Sequence, residues 1–197
     1  MARAIRRVVT GHDKSGKAVI LSDGAVPVVH SNPMRPGQLS YEVWKTSAMP
    51  IPLPADEPEP TGGKRQLHPV ANGTVFRISE VPPESDAIRN LTPEAPRGPS
   101  AANNAEEAST WARGGRHPLM HRTETVDYAV VLEGEITLLL DEGEVMLKAG
   151  DVAIQRGTNL AWRNHTSKPT RMLYVLMDGK FDPAMAEQFK KQREGKK

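Results

Sequence analysis

The stretch from His121 to Asn164, HRTETVDYAVVLEGEITLLLDEGEVMLKAGDVAIQRGTNLAWRN, decides the fold. Tyr128 to Leu132 is β-branched and aromatic, Gly134 breaks the run, and Glu135 to Leu140 resumes it. The turn Asp141-Glu142-Gly143 returns the chain as Glu144 to Leu147, and Ala149-Gly150-Asp151 makes the next corner. Val152 to Gln155 then runs to Arg156-Gly157-Thr158-Asn159, and Leu160 to Asn164 leaves on another short strand. Short β-prone runs bounded by glycine, aspartate and asparagine predict hairpins. Several in succession predict a small antiparallel barrel or jelly roll.

Around these corners the polar residues fall at fixed offsets. Asp127 precedes Gly134 by seven positions, Gly150 is followed by Gly157, Leu160 comes three residues later, and Asn164 closes the group. In this pattern, from His117 to Leu176, the chain resembles the cupins. Their first motif holds a glycine, two histidines one residue apart, an acidic residue and a second glycine seven positions on. Their second motif runs from glycine through glycine to a histidine and then an asparagine. The resemblance implies an all-β cupin jelly roll, a double-stranded β-helix, here with an N-terminal strand extension and a short C-terminal helix.

Cupin enzymes commonly hold a divalent metal with three histidines and a carboxylate, and the resemblance implies which positions here correspond. His121 falls at the first histidine, Thr123 at the second, Asp127 at the carboxylate and Leu160 at the third histidine. Leucine has no lone pair to give and a threonine hydroxyl is a weak ligand, whereas transition-metal sites usually draw on about three protein donors. The expectation is therefore no metal and no cofactor.

The composition frames the rest. With 197 residues the chain makes one domain with extensions, and 25% charged and 38% hydrophobic residues describe a soluble protein without a spanning segment. A net charge of +2 argues against nucleic acid as partner, since a binder concentrates Lys and Arg over one surface. Here the basic residues gather at the ends, at Arg3, Arg6 and Arg7 and from Lys190 to Lys197. There is no cysteine, which excludes disulfides and thiolate chemistry. The N-terminus lacks a signal-peptide core, so the expected location is cytoplasmic, and the acceptor patterns at Asn72, Asn90 and Asn164 have no consequence there.

Residues 1–69 are expected to be an N-terminal extension, 70–180 the barrel with an inserted segment at 82–116, and 181–197 a helix and basic tail. In the extension, Ile5 to Val9 and Ala18 to Leu21 read as strands, Asp23 to Gly37 as irregular, Leu39 to Thr46 as a strand and Met49 to Gly63 as a proline-rich surface loop. In related single-domain cupins such strands extend the sheet or cross a dimer, so the resemblance implies a homodimer. Within the insertion, Ser100 to Trp111 predicts a short helix capped by Ser100 and ended by Gly114-Gly115. That segment reads equally as a lid over the barrel mouth or as a mobile surface loop. Asp182-Pro183 opens the closing helix, whose Met185 and Phe189 share a face that should dock on the sheet.

Alternate residues of a strand face one side, which places His121, Thr123, Thr125 and Asp127 together, and Leu160, Trp162 and Asn164 together, in the barrel interior. His121 and Asp127 are the catalytic candidates, expected to titrate as a coupled pair. Thr123, Thr125, Leu160, Trp162, Asn164 and Arg77 are the substrate-binding candidates. Two bland readings stand beside these: Asp127 held by a backbone amide or by Arg77, and Asn164 holding its turn. His12, His30, His68 and His165 sit in turn-like contexts and are read as bland, and His117, which precedes a proline, enters only beside His121 and Asp127 in the metal-dependent alternative. The chain also resembles single-domain cupins found beside polyketide and aromatic-compound pathways. Three function classes follow: a metal-independent acid/base enzyme (dehydratase, isomerase, cyclase or decarboxylase) acting on a hydrophobic oxygenated small molecule, a metal-dependent oxygenase or oxidoreductase, and a non-catalytic binding module.

Overall fold

The computed structural model describes residues 4–32, 35–92 and 105–194. An amino-terminal ribbon pairs β1 (Arg6–His12) with β2 (Ala18–Ala25), closed by a turn in which Asp13 accepts the backbone N–H groups of Ser15 and Lys17. A six-stranded antiparallel sheet follows in the order β3 (Val29–Ser31), β4 (Leu39–Thr46), β5 (Thr74–Val81), β11 (Thr170–Asp178), β6 (Thr125–Glu133) and β9 (Val152–Arg156). Facing it is a three-stranded sheet, β10 (Leu160–Arg163), β7 (Glu135–Leu140) and β8 (Glu144–Lys148). Among the described residues there are three α-helices: α1 (Asp86–Arg89), α2 (Ala105–Ala108) and α3 (Pro183–Glu194).

Strand parity sorts the residues. Val81, Ala129, Val131, Ile136 and Met172 form one buried cluster, with Leu147, Ala153, Trp162 and Tyr174 against it, so both sheets contribute. This is the barrel interior. Val26, Val43 and Ile78, with Ile5, Tyr41, Phe76 and Leu173, pack on the opposite face of the larger sheet. There the ribbon is fastened, by Val26 N–H to the Ile5 carbonyl and by Arg7 to Glu59 and the Val43 carbonyl.

Several expectations need correction. The stretch from Asp23 to Gly37 is not wholly irregular, because β2 runs to Ala25 and β3 adds an edge strand to β4. Only β3 and β4 of the N-terminal strands join the barrel sheet, while β1 and β2 make their own. The helix in the insertion ends at Ala108, before the expected Trp111, and is followed by a 3-10 turn, Trp111–Arg113, that ends at a left-handed Gly114. Ser100, its expected cap, lies outside the described residues. Asp182 does cap α3, accepting from Ala184 and Met185 N–H at 3.0 Å each. Phe189 docks edge-on against Phe181 and beneath the Arg122 guanidinium, but Met185 stays 39% exposed and no α3 residue is buried.

Gly157, the second glycine of the second motif, has φ 63, and a Cβ there would meet the Phe181 ring at 2.5 Å. Asn164, a substrate-binding candidate, is a structural residue instead. It is fully buried, its Nδ2 donates to the Val81 and Lys168 carbonyls, and its Oδ1 accepts from Thr166 N–H and hydroxyl. Every polar atom of the side chain is used to tie the end of β10 to the end of β5, so none is left for a ligand.

Candidate active site

Two of the motif positions meet. His121 and Leu160 exchange both backbone hydrogen bonds, at 2.9 and 3.0 Å, and so lie directly opposite each other at the entrance to the barrel. The Leu160 side chain is 2% exposed and the half-buried His121 sends Nδ1 to the Leu119 carbonyl at 2.9 Å. A carbonyl only accepts, so Nδ1 carries the proton and Nε2 keeps the lone pair. Burial lowers the imidazole pKa, Arg65 lowers it further, and the ring is neutral at pH 7.

Asp127 lies deeper, on the interior face of β6 between Gln155 of β9 and Leu176 of β11. Burial pushes its carboxyl up from 3.8 to about 6, against the opposing pull of a hydrogen bond from Thr125 and the charge of Arg77. Its Oδ1 is buried and has no hydrogen-bond partner. Thr123 and Thr125 hydroxyls bond each other at 2.8 Å. The charges that bear on the two differ: Arg65 acts on His121 and Arg77 on Asp127.

A residue the sequence reading missed stands beside Asp127. Tyr174, on β11, is the register partner of both Arg77 and Ala129, and its ring meets Trp162 edge-on at 5.8 Å between centroids. Burial raises its phenol well above the ordinary range and the Asp127 charge adds to this, so it remains a protonated donor at neutral pH. Only β-strand parity, applied to the apolar run 170–177, signals its position.

The third group is charged. Glu42, completely buried on β4, accepts Arg77 Nε at 2.8 Å and is approached by Arg65 Nε and Lys45 Nζ at 3.9 Å each. Arg77 also donates to the carbonyls of Gln66 and Leu67, which commits its guanidinium to the scaffold and removes it from the substrate-binding set. His30, read as bland, pairs in register with Ser40 on this same face; burial lowers its pKa, with Glu42, Arg65, Lys45 and Arg77 all within electrostatic reach. His117 is held elsewhere, bonded through Nε2 to Glu84, with its Nδ1 accepting from Leu119 N–H at 3.1 Å.

The pattern of the cupin domain matches residues 109–176. Over 90% of this chain and 80% of the other, the sequence is 35% identical to phomopsin biosynthesis cluster protein C' of Diaporthe leptostromiformis. The chain belongs to the cupins. It is also 28% identical to the cupin-domain-containing oxidoreductase fogC of Aspergillus ruber, over 90% of this chain and 74% of that one. Among solved structures, the cupin domain of Schizosaccharomyces pombe Cnp3 superposes with a TM-score of 0.43 at 11% identity, over 96% of this cupin and 93% of that domain.

The family's metal does not fit the donors this cupin presents. Leu160 offers none, the Thr123 hydroxyl is bonded to Thr125, and among the described residues no three His, Asp or Glu side chains are grouped to hold an ion. Replacing Thr123 and Leu160 together by histidine is expected to create a site, with tight cobalt binding in a spectroscopic titration. The parent should hold clearly less than one equivalent. Stoichiometric metal in the parent that is lost in His121→Ala would contradict this.

The raised Asp127 pKa has a thermodynamic signature. The folded state binds the proton more tightly than the unfolded chain, so this group's contribution to stability is full below about pH 4 and falls as pH rises to about 6. Asp127→Asn is therefore expected to be more stable than the parent at pH 7, by up to about 3 kcal/mol, with the advantage gone near pH 4. A deficit at pH 7 in urea unfolding would show that the ionised carboxylate is structural.

Proposed function

We propose that this cupin is a small-molecule enzyme of secondary metabolism, cytoplasmic, that moves protons on a hydrophobic oxygenated substrate, a polyketide or aromatic intermediate, without a resident metal. The reaction class is that of a dehydratase, isomerase, cyclase or decarboxylase. The observation that carries the reading is Asp127, a buried carboxyl with a pKa near 6 and an unpartnered oxygen, next to a neutral phenol. General bases work best with a pKa close to the operating pH. The biosynthesis-cluster name of the relative in Diaporthe leptostromiformis supports the pathway class.

In this scheme ionised Asp127 takes a proton from the substrate and returns it to a neighbouring atom or to the departing oxygen. Tyr174 donates a hydrogen bond to the substrate oxygen on which charge develops, as a preorganised dipole in a dry site. Nε2 of His121 supplies a second acceptor. Trp162 and Leu160 form the apolar wall that excludes water, and Thr123 and Thr125 hold Asp127 in place.

A second reading, oxidoreductase chemistry, is favoured by the name of the fogC relative. The two separate by product mass: isomerisation, loss of water or loss of carbon dioxide on one side, a change of two hydrogens or gain of oxygen on the other. The intermediate that accumulates when the gene is deleted is the substrate to use. With it, Asp127→Asn and His121→Ala should each lower turnover by at least about a hundredfold, and the parent's kcat/KM should fall on the acid side near pH 6. Near-full activity in Asp127→Asn would sink the assignment, and tight binding without conversion would leave a binding module.

We also propose a homodimer. Tyr128, Val152 and Ile154 are 45%, 58% and 56% exposed on the outer face of β6 and β9, an apolar patch of the kind that seeks a partner. Light scattering should give twice the chain mass, and Ile154→Lys should return the monomer; a monomeric parent would refute it.

A further inference from the structure

Three hydrogen bonds run in series toward His121. The Glu84 carboxylate accepts from His117 Nε2, His117 Nδ1 accepts from Leu119 N–H at 3.1 Å, and the Leu119 carbonyl accepts from His121 Nδ1 at 2.9 Å. A carboxylate and a carbonyl only accept, so every proton on this path has one position. His117 carries its proton on Nε2 and His121 carries its own on Nδ1, which leaves His121 Nε2 with the lone pair. Burial lowers the His117 pKa, so that ring is neutral at pH 7 and its Nδ1 is free to accept.

The far end of the path is anchored by the fold. Glu84 lies 33 residues before His117 in the chain, and its side chain has no exposed surface. Its N–H donates to the Asn164 carbonyl at 2.9 Å and its carbonyl accepts Arg89 Nη1 at 2.6 Å. Arg163 Nε stands 3.6 Å from the second carboxylate oxygen, and Arg163 Nη1 stands 3.8 Å from Glu144. Between Glu84 and His121 the chain makes a tight turn, with Met120 N–H bonded to the His117 carbonyl at 2.9 Å and Pro118 fixing its own φ. Met120, 0% exposed, packs with Leu139 and Ala161, on the face of the three-stranded sheet opposite Trp162. The path therefore leads from the outer face of that sheet to the barrel entrance.

We infer that Glu84 and His117 are positioning residues that orient His121, holding its ring with Nδ1 protonated and Nε2 ready to accept a proton. This rests on His121 being part of the reactive site. Both nitrogens of His117 are used on the path, so it acts through the Leu119 peptide and not on the substrate. That peptide is bound at its N–H by His117 and at its carbonyl by His121, and it cannot turn without breaking both bonds. Around metal-bound histidines, losing an outer partner of this kind typically costs about 10–100-fold in function, because tautomer and ring direction are no longer fixed.

The experiment reads the imidazole tautomers of the nitrogen-labelled full chain by long-range proton–nitrogen correlation at neutral pH, with His121 assigned by the signal lost in His121→Gln. In the parent, His117 should show the Nε2–H tautomer alone and His121 the Nδ1–H tautomer alone. Glu84→Leu should mix the tautomers of both rings. Glu84→Gln keeps the volume of the side chain, but its amide presents a donor as well as an acceptor, so it too should mix them. Arg116→Ala is the control: it removes bonds to the Leu140, Asp141 and Gly143 carbonyls in the same segment but off the path, and should leave both rings as in the parent whether or not it melts lower. With the accumulated intermediate as substrate, Glu84→Gln should lower kcat by about tenfold and leave KM within about twofold. A parent His121 protonated on Nε2 would overturn the inference. So would a His121 still held as Nδ1–H alone in either Glu84 variant, or an equal change in Arg116→Ala. The tautomers need no substrate, so this reading fails separately from the acid/base one: mixed tautomers in the Glu84 variants with full turnover in His121→Ala would sustain the path and overturn the role of His121 in the reaction.

Discussion

A fully buried carboxylate, Glu42, is the constraint on which the interior depends. It lies on the inner face of β4 and draws Arg77 from β5, Arg65 from the following loop and Lys45 from its own strand. The same cations fasten the loop to the barrel wall, Arg77 through the Gln66 carbonyl and Lys45 through the Thr61 carbonyl. Removing one partner of such a buried set leaves uncompensated charge in a low-dielectric space, which costs far more than the set contributes when complete. The strand order, the loop path and the electrostatics of the site are therefore linked through one side chain.

Excess positive charge sets the chemistry available. It keeps His121 and His30 neutral by adding to the effect of burial, and it opposes the upward shift of Asp127 and Tyr174. The Thr125 hydrogen bond and the Arg77 charge together hold the Asp127 carboxyl below where burial alone would put it. Asp127 then titrates near pH 6, and the phenol beside it remains a donor. The proposed proton transfer rests on this carboxyl and phenol lying on adjacent strands.

Departure from the family's ligand pattern has a matching structural effect. At position 160 an apolar side chain closes the space opposite His121, and at position 123 a hydroxyl is bonded to its neighbour two residues on. The buried charges of the barrel lie instead on the other strands of the larger sheet, around Glu42 and Arg77. There, β4, β5 and the loops before and after β4 supply the arginines.

The sequence by itself determined the barrel. Glycine corners and alternating strands between His121 and Asn164 are local signals, whereas His121 and Leu160 were set at two ligand positions by resemblance alone, and the backbone pairs them. Local too was the Asp182 cap. What only the tertiary structure decided is the buried charge of the barrel. Arg77 meets Glu42 across 35 residues of chain, and Arg35 and Arg65 come from loops without periodicity, within a segment read as an extension to the barrel. Tyr174 enters the site by register, and Asn164 leaves it because its turn consumes every polar atom it has. Periodicity reports which face of a strand is apolar, but whether a buried charge finds its partner depends on strand order and loop path, which are set by the packing of the whole chain.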